Sequence, residues 1–230
     1  MRAFARIPNT LLTGATAQMP SLTLPAGVAG VTEAANHTEF DTVDVASLSA
    51  LRYGGWSDVT SFVDEFTDIE ALNRAHAVGI GGDLNLADGN AIQTAAGAVT
   101  AFDANNLDKN VRVAILTVAA AAMADPEDVV LFGTSAALGV VTGYAPASGG
   151  DRGSVSTRVF GARVYVHEQA TAGNVYAFAP SAFQVFSSRL RSAAVISPES
   201  GNHRFGQWLH STPPGVFVVG GAAGVDVVTP

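Results

Sequence analysis

The chain has 230 residues, 48% of them hydrophobic and only 14% charged, with 20 acids against 12 bases for a formal charge of −8. The absence of cysteine excludes disulfides, a thiol nucleophile and zinc–thiolate sites, and a single lysine, Lys109, speaks against a basic face for tight phosphate binding. The longest apolar run, VAILTVAAAAMA at 113–124, is shorter than the ~20 residues a bilayer needs, and the N-terminus holds no signal-peptide core, so a soluble chain made in the cytosol is expected.

A charged fraction so far below the usual ~25% suggests that much of the surface is hidden against other molecules. Residues 1–20 have neither helical nor strand period and contain Pro8, Gly14 and Pro20, which predicts an extended arm. SLTLP at 21–25 alternates, and so does the stretch around Val43, Val45, Leu51 and Tyr53, with small and polar residues between them. The pattern predicts a two-stranded ribbon with an open tip. Ser47 and Ser49 interrupt its apolar face, and such ribbons are marginal alone in water. Gly54 and Gly55 predict a bend where the ribbon rejoins the body. Tyr53, Trp56 and Phe62 near its base, with Arg52, suit a contact surface or core anchors.

Over 67–99, Ile69, Leu72, Ile80, Leu84, Ala87 and Ala91 recur at near-helical spacing, with Thr67 or Asp68 as N-cap and Glu70 in the first turn. Gly79, Gly81 and Gly82 predict a weak or bent middle where another backbone can approach. Leu107, Val111, Ile115, Val118 and Ala122 predict a second helix, stopped by Pro126. A buried strand at 128–134, a short helix over SAALGVV and a loop at 142–154 follow. TRVFGARVYVHE, VYAFA, AFQVFSSRL, SAAVIS, RFGQWLHS and GVFVVGG read as strands. Helices first and strands later, with no βαβ alternation and no repeat, make the class α+β.

No catalytic constellation emerges. GTSAALG at 133–139 lacks the second glycine of a nucleophile elbow, and Ser135 reads as a helix cap. GIGGDLNLADG at 79–89 sits inside a helical pattern and lacks the P-loop Gly-Lys-Ser/Thr. The histidines at 37, 76, 167, 203 and 210 have no metal-ligand spacing and read as surface or interface residues; His167 and Glu168 should point to opposite strand faces. Asp58, Asp64, Glu65, Asp68 and Glu70 read as a solvated helix start rather than a calcium loop. No catalytic, cofactor or metal residue is assigned.

The segment order does carry a resemblance. SLTLP…TEFDTVDVASLSALRYGG, DIEALNRAHAVGIGGDLN, ADPEDVVLFGTSAAL, RVFGARVYV, AFQVF and GVFVVGG together resemble a tailed-bacteriophage major capsid protein. That family implies the Hong Kong 97-like capsid fold, and the resemblance divides the chain as follows: arm at 1–18, extended loop at 19–60, peripheral domain with a spine helix at 61–126, axial domain at 127–174, strands returning to the peripheral domain at 175–214, and a last axial strand at 215–230. It implies that the loop lies over a neighbouring copy, which supplies the apolar partner the ribbon lacks, with His37, Glu39, Phe40, Arg52, Tyr53 and Trp56 as subunit-contact residues.

The implied role is an icosahedral head built from pentamers and hexamers around double-stranded DNA held without sequence preference, a virion component assembled in the host cytoplasm. Scaffolding, portal and decoration proteins are the further partners such heads use; a membrane and a cofactor are not implied. Some relatives weld subunits through a loop lysine, but 21–60 contains none, so no isopeptide mesh is expected. No helical scaffolding prefix precedes the arm in this sequence, so a separate scaffold or none is expected. Two other readings stand: an encapsulin-like cytoplasmic compartment, disfavoured because the N-terminus lacks the helical stripe common in those shells, and a soluble enzyme with an unrecognised site.

Overall fold

The computed structural model describes residues 7–22, 42–59, 69–97, 107–144, 158–196 and 203–227. In chain order the first strands are β1 (Asn9–Leu11), β2 (Thr16–Leu22), β3 (Thr42–Ser49) and β4 (Leu51–Val59). Two helices follow, α1 (Ile69–Ala96) and α2 (Leu107–Ala122), then β5 (Val130–Gly133), α3 (Ser135–Tyr144), β6 (Arg158–Val159) and β7 (Ala162–Val166). The chain continues as β8 (Asn174–Phe178), β9 (Phe183–Ser187), β10 (Arg191–Ile196), β11 (His203–Ser211), β12 (Gly215–Val216) and β13 (Ala222–Asp226). One sheet runs β1-β9-β11-β10 with β4 added on β11 and β12 on β9; a second runs β13-β8-β5-β7-β6; β2 and β3 form the ribbon.

The ribbon begins earlier than its sequence announces. Thr16 already pairs with Ser49, inside the stretch that reads as aperiodic, because alternation there is carried by small and polar side chains. Ala17, Met19, Ala46 and Leu48 turn inward, while Gln18, Pro20, Val45, Ser47 and Ser49 face solvent. The serines therefore interrupt nothing: they share the outer face with Val45, which is 55% exposed. Met19 is 2% exposed, and a Cβ on Gly215 would lie 2.6 Å from Met19 Cε and 2.5 Å from Leu48 Cδ1. The ribbon's inner face thus rests on Gly215 of its own chain, so the described part finds apolar support without a second copy. The tip at 23–41 lies outside the described residues.

Two strands, not one, cover 42–59; they meet at Ala50, whose N–H donates to the Ala15 carbonyl at 2.9 Å. Gly54 and Gly55 mark no bend but lie within β4, paired with Trp208 and Gln207. TRVFGARVYVHE is likewise two strands, a β6–β7 hairpin turning at Phe160 (φ 51°) and Gly161 (φ 85°). In GVFVVGG only Gly215 and Val216 are strand, and the last long strand is β13. β5 and β7 run parallel with α3 between them, so one βαβ crossover exists where none was read.

Helix α1 is continuous across its glycines. Its buried stripe is Ile80, Leu84, Asp88 and Ile92, one step off the alanines picked from the sequence. Space around Gly79 and Gly82 is open within the subunit, whereas a Cβ on Gly89 would run into the His167 imidazole. Helix α2 ends before Pro126: Met123 adopts φ 48°, the Ala124 N–H donates to the Ala119 carbonyl at 2.9 Å and the Met123 N–H to Ala120 at 3.2 Å, a Schellman ending. At α3 the cap is Thr134, whose Oγ1 accepts from the Ala137 N–H at 3.2 Å, and Ser135 is the first helical residue.

β5 is buried at every position and pairs on both sides, which makes Phe132 the centre of the core. Its ring stacks on Tyr176 at 5.3 Å and meets Phe178 edge-on at 5.7 Å. Val111, Ile115 and Val118 from α2, Ile92 from α1, and Leu138 and Val141 from α3 close the same cluster. Burial of this order, ~1.5–3 kcal/mol per large side chain, is what holds a chain with no covalent staple.

Candidate functional site

RYGGWSD at 52–58 and RFGQWLH at 204–210 share the pattern R-x-G-x-W-x, and the structure sets them antiparallel. The register puts Arg52 opposite His210, Gly54 opposite Trp208, Trp56 opposite Gly206 and Asp58 opposite Arg204. Each tryptophan faces the other strand's glycine. A Cβ on Gly206 would lie 2.6 Å from the Trp56 ring, and one on Gly54, where φ is +141°, would lie 2.6 Å from Trp208 Cα. With both glycines bare, the rings come to 5.7 Å at an interplanar angle of 32°. The Arg52 guanidinium stands 5.1 Å over the Trp208 ring. At the far end Arg204 grips Asp58 with two hydrogen bonds, 2.6 and 3.1 Å. That bond holds the exposed Asp58 carboxyl below its usual pKa.

β10 extends the same face, with Arg191 opposite Trp208, Ala193 opposite Gly206 and Val195 opposite Arg204. Helix α1 takes the other side of the sheet, where Ser57 Oγ and His76 Nε2 are 2.6 Å apart. Among the described residues no element covers the outer face. Trp56 is 43% and Val195 51% exposed, among three arginines and, among the described residues, one carboxylate.

Of the six residues expected at a subunit contact, His37, Glu39 and Phe40 lie outside the described residues. Arg52 and Trp56 belong to the outer face; Tyr53, opposite Leu209, is half-buried on the α1 side. Trp208, Arg204 and Arg191 share this face and were not singled out in the sequence; the repeated R-x-G-x-W-x pattern points to the first two, whereas Arg191 is brought there only by the pairing of β10 with β11.

The other candidates separate. His167 is buried, not superficial, edge-on to Phe132 at 6.1 Å, and burial lowers its pKa. Glu168 lies beyond β7 rather than on it, and its Oε1 accepts from the Ser135 N–H at 3.1 Å. Asp58 is in the arginine pair and Glu70 opens α1; Asp64, Glu65 and Asp68 lie outside the described residues. Among the described residues no three His, Asp or Glu side chains form a group that could hold a metal, and no helix is long and apolar enough to cross a membrane. The Ser57–His76 contact has a nucleophile and a base, but among the described residues His76 Nδ1 has no hydrogen-bond partner and no acid orients the ring.

The arrangement of two sheets, long helix and ribbon is the Hong Kong 97-like capsid fold, here in a mixed α+β chain. The chain resembles the capsid chain of an empty GTA particle, with a TM-score of 0.72 and 13% identity over 98% of this chain and 89% of that one. It is similar to the capsid chain of Cyanophage P-SCSP1u, with a TM-score of 0.69 and 9% identity over 98% and 87%. A virus-like particle from Pyrococcus furiosus also matches, with a TM-score of 0.63 and 11% identity over 96% and 90%. No protein-family model and no curated sequence matches the chain.

Proposed function

We propose that this chain is the major coat subunit of a tailed-phage head, assembling through pentamers and hexamers into an icosahedral shell around double-stranded DNA. The observation that carries the reading is end-to-end similarity to capsid chains, over 98% of this chain at a TM-score of 0.72. A repeating shell needs surfaces left open by the subunit, and the Trp56–Trp208 face supports that need. The role is structural rather than catalytic, and contacts are non-covalent, since no lysine lies between Arg6 and Arg52 to make a side-chain isopeptide bond from the ribbon. DNA is enclosed rather than gripped; a net charge of −8 supports a lining that leaves the polymer mobile. Portal, scaffolding and decoration proteins are the partners such a head would recruit during assembly in the host cytoplasm.

A second reading is an encapsulin-like compartment, and a virus-like particle from Pyrococcus furiosus is among the similar structures without favouring it. Against it, Asn9–Leu11 and Thr16–Leu22 are strands where those shells commonly carry a helix. Size-exclusion chromatography and negative-stain imaging of purified protein test the coat reading: megadalton icosahedral particles are expected, and a species that stays near 23.5 kDa overturns it. Nuclease-protected DNA in particles from the native source supports the phage head over the compartment.

A further inference from the structure

We propose that the cleft between α2 and the β6–β7 hairpin binds a small amphipathic organic anion, with Arg112 taking its one negative group and the apolar lining taking its body. This goes beyond the coat-subunit reading and does not depend on it.

Shape and charge together carry the assignment. The cleft holds about 320 Å³, within the ~300–1,000 Å³ of small-molecule sites. Its described lining is Arg112, Ile115 and Leu116 of α2, with Pro126 and Phe160. Ile115 belongs to the core at 2% exposed, whereas Leu116, at 58%, presents an apolar wall to water. Arg112 is the single charged member of that described lining, and its guanidinium stands 4.4 Å over the Phe160 ring. Stacking limits the head to few orientations, so its N–H edge meets an oxyanion with less ordering cost. One cation in an apolar wall selects an apolar ligand with one anionic group. A neutral hydrocarbon gains nothing from the guanidinium, and a polyanion finds no second cation in the described lining, because the neighbouring Arg158 is paired with Glu127 at 3.2 Å.

The backbone of Phe160 points to the same place. Val159 pairs with Ala162, so the hairpin turns on two residues, Phe160 and Gly161, both at positive φ. Asn or Gly normally takes the first place of such a turn. A phenylalanine there is held against its own backbone preference, so the ring, not the turn, explains the residue. The hairpin is also tied to the opposite wall. Arg158 Nη1 donates to Glu127 Oε2 and to the Gly161 carbonyl, each at 3.2 Å. Glu127 follows Pro126, so this bridge joins the Phe160 and Pro126 sides of the cleft.

Two probes that differ by one sulfonate test the site on the purified full chain: 8-anilinonaphthalene-1-sulfonate and its neutral parent, N-phenyl-1-naphthylamine. Fluorescence titration should show one saturable site that holds the sulfonate about tenfold more tightly than the parent, the worth of one charge-assisted contact. Arg112→Met keeps an apolar stem against Phe160 and should abolish that preference while leaving binding of the parent unchanged. Phe160→Asn, which suits the turn, should weaken both probes while circular dichroism stays native; if that spectrum is lost, Arg112→Met decides alone. Equal affinity of wild type for the two probes overturns the site, as does a sulfonate preference that survives Arg112→Met or binding that never saturates. Each of these results leaves the coat reading standing, and a chain that forms no particles leaves the cleft standing.

Discussion

Trp56 on β4 and Trp208 on β11 lie 5.7 Å apart, ring to ring, each across the ladder from a glycine of the other's strand. The glycines are steric necessities of this pair. Gly206→Ala puts a methyl within 2.6 Å of the Trp56 ring, an overpacking error of ~1–3 kcal/mol. Gly54→Ala adds a backbone penalty, because φ +141° is open to glycine and strained for other residues. Denaturant unfolding of the subunit should show both losses, with Gly54→Ala the larger.

Trp56→Ala should impair particle assembly while leaving the subunit folded, since its ring is 43% exposed and contributes to the open face more than to the core. Imaging the purified variant beside a circular dichroism spectrum is the check. Unchanged particle yield would show the ring is no anchor.

Phe132→Ala should be the most damaging single truncation. The residue is fully buried on the central strand and touches Tyr176, Phe178 and His167. Loss of ~3–5 kcal/mol is expected, read as a lower denaturant midpoint or as insoluble expression. Thr134→Ala, which removes only the α3 cap, should cost ~1 kcal/mol.

His167 should make stability fall with acid. Burial holds its imidazole pKa below the ordinary value, and Glu168 opposes that shift only in part. The unfolded chain therefore binds the proton at a higher pH than the folded one, and stability rises with pH across the interval between the two. The full contribution is present above about pH 6.5 and declines as pH drops below it. Unfolding midpoints between about pH 7 and about pH 5 should fall less steeply in His167→Gln than in wild type.

Much of this fold is legible in the residues because period reports burial directly. Val111, Ile115 and Val118 name the buried stripe of α2, and the apolar run at 130–133 names the central strand. Where small residues dominate, period fails. Thr16–Ser21 hides a strand behind Thr, Ala and Gln, and the α1 stripe passes through Asp88 rather than Ala87 because a helical alanine fits either face.

Composition and local pattern were enough for the α+β class, the ribbon, the three helices and the absence of cysteine chemistry, since those depend on each residue and its near neighbours. Register and long-range pairing were not available from them. Only the folded chain set β4 against β11, so that two tryptophans 152 positions apart met over two glycines. Nor could local pattern seat Met19 and Leu48 on Gly215, because the clearance over a strand glycine depends on what the distant chain brings to it.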